Sequence, residues 1–118
     1  MLCRSEERGF KARDEIIKET GNQNVFVHVV DMSSPRSIHA FVSEFAEKTA
    51  FQVLVNNAGC MLHERKKTAE GFEENFATNS FGVFYLTTLL IPYLEKQNDP
   101  RVVKHFCVCV CVCVFVFV

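Results

Sequence analysis

The 118-residue sequence is nearly without net charge, with Lys+Arg 13 against Asp+Glu 14. It has no basic block or stripe to neutralise a phosphate backbone, which excludes nucleic acid as a partner. Glycine is scarce as well. Gly9, Gly21, Gly59, Gly71 and Gly82 are too scattered to build a glycine-rich turn that cradles a phosphate at a helix N-terminus. The N-terminal MLCRSEERGFKARDE lacks an apolar h-region, turning charged at its fourth residue, so the expectation is a cytoplasmic protein with no secretion signal. Of six cysteines only Cys3 and Cys60 lie outside the C-terminal alternation, which is not a disulfide framework. His28 sits in an apolar run with nothing of metal-ligand spacing around it, so it is given no chemistry and no metal site is expected.

What is present divides near residue 103. The ending RVVKHFCVCVCVCVFVFV opens as an ordinary strand and then alternates two apolar letters, with no polar group after His105. Without residues 106–118 the apolar share falls from 48% to about 42%, ordinary for a soluble domain. A TG dinucleotide repeat encodes Cys-Val alternation, TGT being Cys and GTG Val, so simple-repeat DNA is the expected origin, through translation past an exon end into intron or an incomplete gene model. The thirteen-residue apolar run falls short of the roughly twenty residues a membrane-spanning helix needs. As a strand its thiols would lie roughly 6.6–7 Å apart in a row too straight to wrap one zinc. High β-propensity without charge or proline makes it prone to aggregate.

The remainder, 1–103, reads as one domain of alternating strands and helices. Ser5 can cap a helix that carries Phe10, Ala12, Ile16 and Ile17 among charges, and Gly21 supplies its left-handed stop. VFVHVVD, residues 25–31, has the pattern of a strand covered on both faces. Ser34 and Pro35 then open a helix with Ile38, Phe41, Val42 and Phe45 on one stripe. Residues 51–55 make a short buried strand, a long helix is expected over 70–96, and RVV opens another strand. Strand, helix, strand, helix, strand, long helix, strand requires crossover connections and a parallel sheet, a doubly wound α/β fold. Ligands of such folds sit beyond the carboxyl ends of the strands, where Arg4, Asp31 and residues 57–59 fall.

LVNNAG (residues 54–59), followed 23 residues after Asn56 by FATNSFGVFYLTTLLIP, resembles the short-chain dehydrogenase/reductase family. The resemblance runs from Met1 to about Val103 and leaves out the tail, 104–118. It implies a Rossmann-type sheet lacking its first strand and everything after the fifth. It also implies a nicotinamide cofactor and oxidoreduction of alcohols or carbonyls. Asn57, Ala58 and Gly59 match the turn beneath the adenosine ribose, and Asn56 matches the residue that pins the central strand. Asp31, with the backbone of Met32, matches the position that bonds the adenine amino group. Arg4 stands where relatives preferring NADP hold a cation, since a guanidinium forks onto a 2′-phosphate. Asn79 matches the catalytic asparagine whose main-chain carbonyl holds a water in the proton relay.

The same resemblance exposes two omissions. A T-G-x-x-x-G-x-G turn is expected about twenty residues before LCR, and none is present. A Tyr-x-x-x-Lys pair, in which the lysine lowers the phenol's pKa, is expected for hydride chemistry together with a serine. Four places after Tyr85 stands Leu89, and four after Tyr93 stands Gln97. The expectation is therefore an inactive fragment of an NADP-preferring oxidoreductase, its sheet opened in the middle where the first strand would lie. The alternative is a non-catalytic module that associates with intact relatives through the long helix.

Overall fold

The computed structural model describes residues 1–104. They form β1 (Leu2–Cys3), α1 (Glu6–Thr20), β2 (His28–Val29), α2 (Pro35–Phe45), β3 (Val53–Asn56), α3 (Glu74–Phe76), a π-helical turn (Ala77–Phe81), α4 (Gly82–Leu94) and β4 (Arg101–Lys104). The expectations for the tail, 105–118, lie outside the described residues. The chain separates into two compact units, Met1–Asp31 and a second from Met32 onward.

In the first unit β1 and β2 pair in parallel, Leu2 opposite His28 and Cys3 opposite Val29. The connecting helix α1 begins at Ser5, whose hydroxyl accepts from the Arg8 N–H, and stops at Gly21 with φ 72°. Both caps are those the sequence indicates. Gly9 is buried because α1 lies close to the strand: a Cβ there would come within 2.3 Å of Cys3 Sγ and 2.8 Å of Val27 Cγ1. The expected strand over 25–31 is much shorter, two residues, and it is not covered on both sides. Phe26, which precedes β2, is 67% and Val29 54% exposed, and β2 pairs with β1 as one half of a two-stranded sheet.

In the second unit α2 starts at Ser34, which accepts from the Ser37 N–H, with Pro35 at the first helical position. Ile38, Val42 and Ala46 are buried together with Leu54, Val83, Leu86, Leu90 and Leu94, so this core lies where α2 packs on α4. Strands β3 and β4 pair in parallel from Val53 opposite Arg101 to Asn56 opposite Lys104. Alternation along β3 buries Leu54 and Asn56 and leaves Val53 and Val55 exposed. The described strands therefore make two parallel pairs, β1–β2 and β3–β4, with helices between them, a partial α/β arrangement.

The long helix is interrupted and starts later than its apolar spacing indicates, at Glu74 instead of residue 70. Gly71, at φ 89°, breaks the helical path. The Thr68 N–H bonds the Phe72 carbonyl, and Lys67 bridges Glu73 in antiparallel fashion. Residues 67–73 thus form a tight β-like turn feeding the helix. No helix among the described residues is long and apolar enough to cross a membrane.

Candidate functional site

The site grows from the end of β3. Asn56 is 7% exposed, and its Nδ2 donates to Thr87 Oγ1 at 3.0 Å. The Thr87 hydroxyl in turn donates to the Val83 carbonyl at 2.7 Å. A two-bond chain thus ties the strand end to α4, since buried polar groups require partners. Asn57, Ala58 and Gly59 then leave the core as an exposed turn.

That turn ends against Asn79. A Cβ on Gly59 would lie 3.4 Å from Asn79 Oδ1, with nothing else within 4 Å. Gly59 does not adopt a positive φ, so neither backbone strain nor crowding among the described residues calls for glycine there. The Asn79 amide grips the next residue at both backbone groups: Oδ1 accepts from the Cys60 N–H at 2.8 Å, and Nδ2 donates to the Cys60 carbonyl at 2.8 Å. Asn79 sits in the π-helical turn, where the Gly82 N–H reaches back five residues to the Ala77 carbonyl. Widened turns of this kind recur at functional sites. The sequence offered Asn79 but no signal for the π turn itself.

Gly82 follows directly and has a separate reason to be glycine. A Cβ on it would stand 2.0 Å from the Met32 carbonyl oxygen. The helix therefore presses its backbone against the chain leaving β2, which holds Met32 in place. Next to Gly82, Ser80 Oγ is buried without a hydrogen-bond partner among the described residues.

The helix entry is set by Glu73. Its carboxylate accepts from the Phe76 N–H at 2.7 Å and the Asn75 N–H at 3.1 Å. The Phe76 backbone bond, then the Asn75 one, holds this carboxyl below its ordinary pKa. Sequence reasoning missed Glu73, Asn75, Gly9 and Gly82; a carboxylate two or three residues before a helical run was the available signal for Glu73.

Of the anticipated site residues, Asn79 bonds the backbone of Cys60, the residue that follows Gly59, and Asn57 and Ala58 lead up to it. Met32 is half-buried against Gly82 in the same unit. Arg4 is exposed just after β1, and Asp31 is half-buried just after β2, both in the first unit. The two tyrosines are engaged elsewhere: Tyr85 stacks on Phe81 with centroids 5.8 Å apart. Lys96 Nζ lies over the face of the Tyr93 ring, 5.1 Å from its centroid. No group of three or more His, Cys, Asp or Glu suited to a metal ion occurs among the described residues.

The family model for short chain dehydrogenase matches residues 1–108. Over 103 residues, 87% of this chain and 32% of the relative, the sequence is 52% identical to dehydrogenase/reductase SDR family member 12 of Bos taurus. It is 42% identical to retinol dehydrogenase 11 of Homo sapiens over 104 residues, 87% of this chain and 33% of that protein. In structure it is similar to an alcohol dehydrogenase from Thermococcus sibiricus complexed with 5-hydroxy-NADP. That match has a TM-score of 0.68 and 26% identity and covers 87% of this chain and 44% of the other. The chain thus spans about a third of the length of the curated relatives it matches. With the family model matching nearly its whole length, the chain belongs to the short-chain dehydrogenase/reductase family.

Proposed function

We propose that these residues carry the adenosine side of an NADP site in an oxidoreductase of alcohols and carbonyls, and that the 118 residues alone are inactive. The exposed turn of Asn57, Ala58 and Gly59, fixed at one end by Asn56 and at the other by Asn79, supports this most directly. Gly59 is exposed, with Asn79 Oδ1 the one atom among the described residues within 4 Å of where a Cβ would stand, which fits the close approach of a flat ligand group. A bound nicotinamide cofactor would supply the hydride. Residues 57–59 would pass beneath its adenosine ribose, Asp31 and the Met32 backbone would bond its adenine, and Arg4 would fork onto its 2′-phosphate. Asn79 would hold a relay water at its main-chain carbonyl. In this reading the partial nucleotide-binding domain is 1–103, and 104–118 is an appended tail.

Inactivity follows from the proton donor. Neither tyrosine has a lysine four places on, and Lys96 lies over the Tyr93 ring face instead of beside its hydroxyl. Neither tyrosine therefore has the Tyr-x-x-x-Lys partner that the family's proton transfer uses.

Adenosine 2′-phosphate tests the binding half. Titrated into the full chain, it should shift the amide resonances of Arg4, Asp31, Met32 and Gly59, and more strongly than adenosine does. Equal shifts would remove the NADP preference, and none at all would sink the site.

A second reading, a module that associates with intact relatives, is favoured by the exposure of Phe76 (51%) and Phe84 (54%) along the long helix. Mixing the chain with an intact family member at micromolar concentration should give a co-purifying complex; its absence removes this option.

A further inference from the structure

The loop after the Asn57–Ala58–Gly59 turn is held by two asparagines, of which the family resemblance singled out one. Asn75, four residues before Asn79, repeats the same double contact two residues further along the loop. Its Oδ1 accepts from the Leu62 N–H at 2.8 Å, and its Nδ2 donates to the Leu62 carbonyl at 3.1 Å. Asn79 does the same to Cys60.

The spacing has a geometric cause. Four residues of α-helix advance about 6 Å and share a face, and the π-helical turn that carries Asn79 continues α3 directly, keeping the two amides near one face. Two residues of extended chain advance about 6.7 Å, and their N–H and C=O groups point to the same side. A helix bearing carboxamides at i and i+4 can thus present them to residues j and j+2 of an extended segment as a neighbouring strand would. Four backbone groups that no strand pairs are satisfied in this way. The lower amide is itself steadied, because Asn75 Nδ2 also donates to Glu73 Oε1 at 3.1 Å. Asn75 Oδ1 and the Glu74 carbonyl further cover Cys60 Sγ, at 3.7 and 3.9 Å.

We infer that Asn75 is a positioning residue: with Asn79 it forms a two-rung amide clamp that fixes residues 60–62 and so anchors the far end of the Asn57–Ala58–Gly59 turn. The consequence for nucleotide binding rests on the proposed function, whereas the clamp itself does not. Its test is accordingly run without nucleotide.

Amide hydrogen exchange and alkylation at Cys60, both located by peptide mapping, are measured on the full chain and on Asn75→Ala and Asn75→Asp. Loss of both Leu62 bonds should speed exchange of its N–H by roughly tenfold or more and raise the Cys60 alkylation rate, with exchange in α2 unchanged. Asn75→Asp keeps the acceptor but loses the donor and sets a second carboxylate beside Glu73 Oε1, so it should restore part of the Leu62 protection that Asn75→Ala loses. Unprotected Leu62 in the parent chain would overturn the clamp. So would unchanged exchange in Asn75→Ala, or acceleration spread equally through α2. If Asn75→Ala fails to fold, Asn75→Asp and the parent chain's Leu62 protection still decide the matter. A clamp that passes while adenosine 2′-phosphate shifts nothing leaves this inference standing and removes the nucleotide reading.

Discussion

The Asn56 carboxamide donates to Thr87 Oγ1 across 3.0 Å inside the core, joining the last residue of β3 to the middle of α4. Because Thr87 spends its own proton on the Val83 carbonyl, Asn56 supplies the donor that its oxygen accepts. Asn56→Ala should therefore cost about 1–2 kcal/mol, the loss of one buried bond with its acceptor stranded. The shift of the denaturant midpoint checks it, and a neutral result would mean that the strand end is held by something else.

Gly82 gives a test whose sign separates two effects. Helix propensity alone would make Gly82→Ala stabilising by about 1 kcal/mol. The close approach of the Met32 carbonyl, 2.0 Å from a Cβ at that position, forces a backbone shift. Overpacking of this kind costs roughly 1–3 kcal/mol or more, so the variant should melt at a lower temperature than the parent.

Alternation along β3 supports a paired comparison. Leu54 is 9% exposed and Val55 58%. Leu54→Ala should cost about 2–5 kcal/mol, whereas Val55→Thr should change stability by less than about 0.5 kcal/mol. Similar costs at both positions would mean that the register or the covered face is misassigned.

Glu73 predicts an acid limit for the helix entry. Its carboxyl titrates below its ordinary value because the Phe76 and Asn75 N–H groups bond the charged form. A depressed folded pKa contributes stability in full above the unfolded value, about 4.3, and loses it as pH falls through the folded value. Protection of the Phe76 amide should thus be flat from neutral pH to about 5 and decline below about 4. Glu73→Gln should abolish that decline.

The elements with chemical punctuation were readable in advance. Ser5 with Gly21 and Ser34 with Pro35 bracket or open their helices as local cap chemistry dictates. The asparagine pair at 56 and 79 was legible through the family resemblance. What the sequence could not show depends on partners distant along the chain. The run VFVHVVD looks fully buried, yet Phe26 and Val29 are exposed and only His28 and Val29 are strand. Gly9 and Gly82 looked like scattered glycines because the atoms that crowd them, Cys3 Sγ and the Met32 carbonyl oxygen, are identified only by the packing. Gly71 was folded into a helix by apolar spacing around it, although its φ of 89° stops one. Asn75 carried no signal, because its partner Leu62 lies across a turn.

The central claim is that the 118 residues hold part of a nucleotide site but no proton-donating phenol. Incubating the purified chain with NADPH and a panel of aldehydes and ketones, while following absorbance of the reduced nicotinamide, tests it directly. The account predicts a flat trace at every substrate; steady NADPH consumption with any one of them would contradict it.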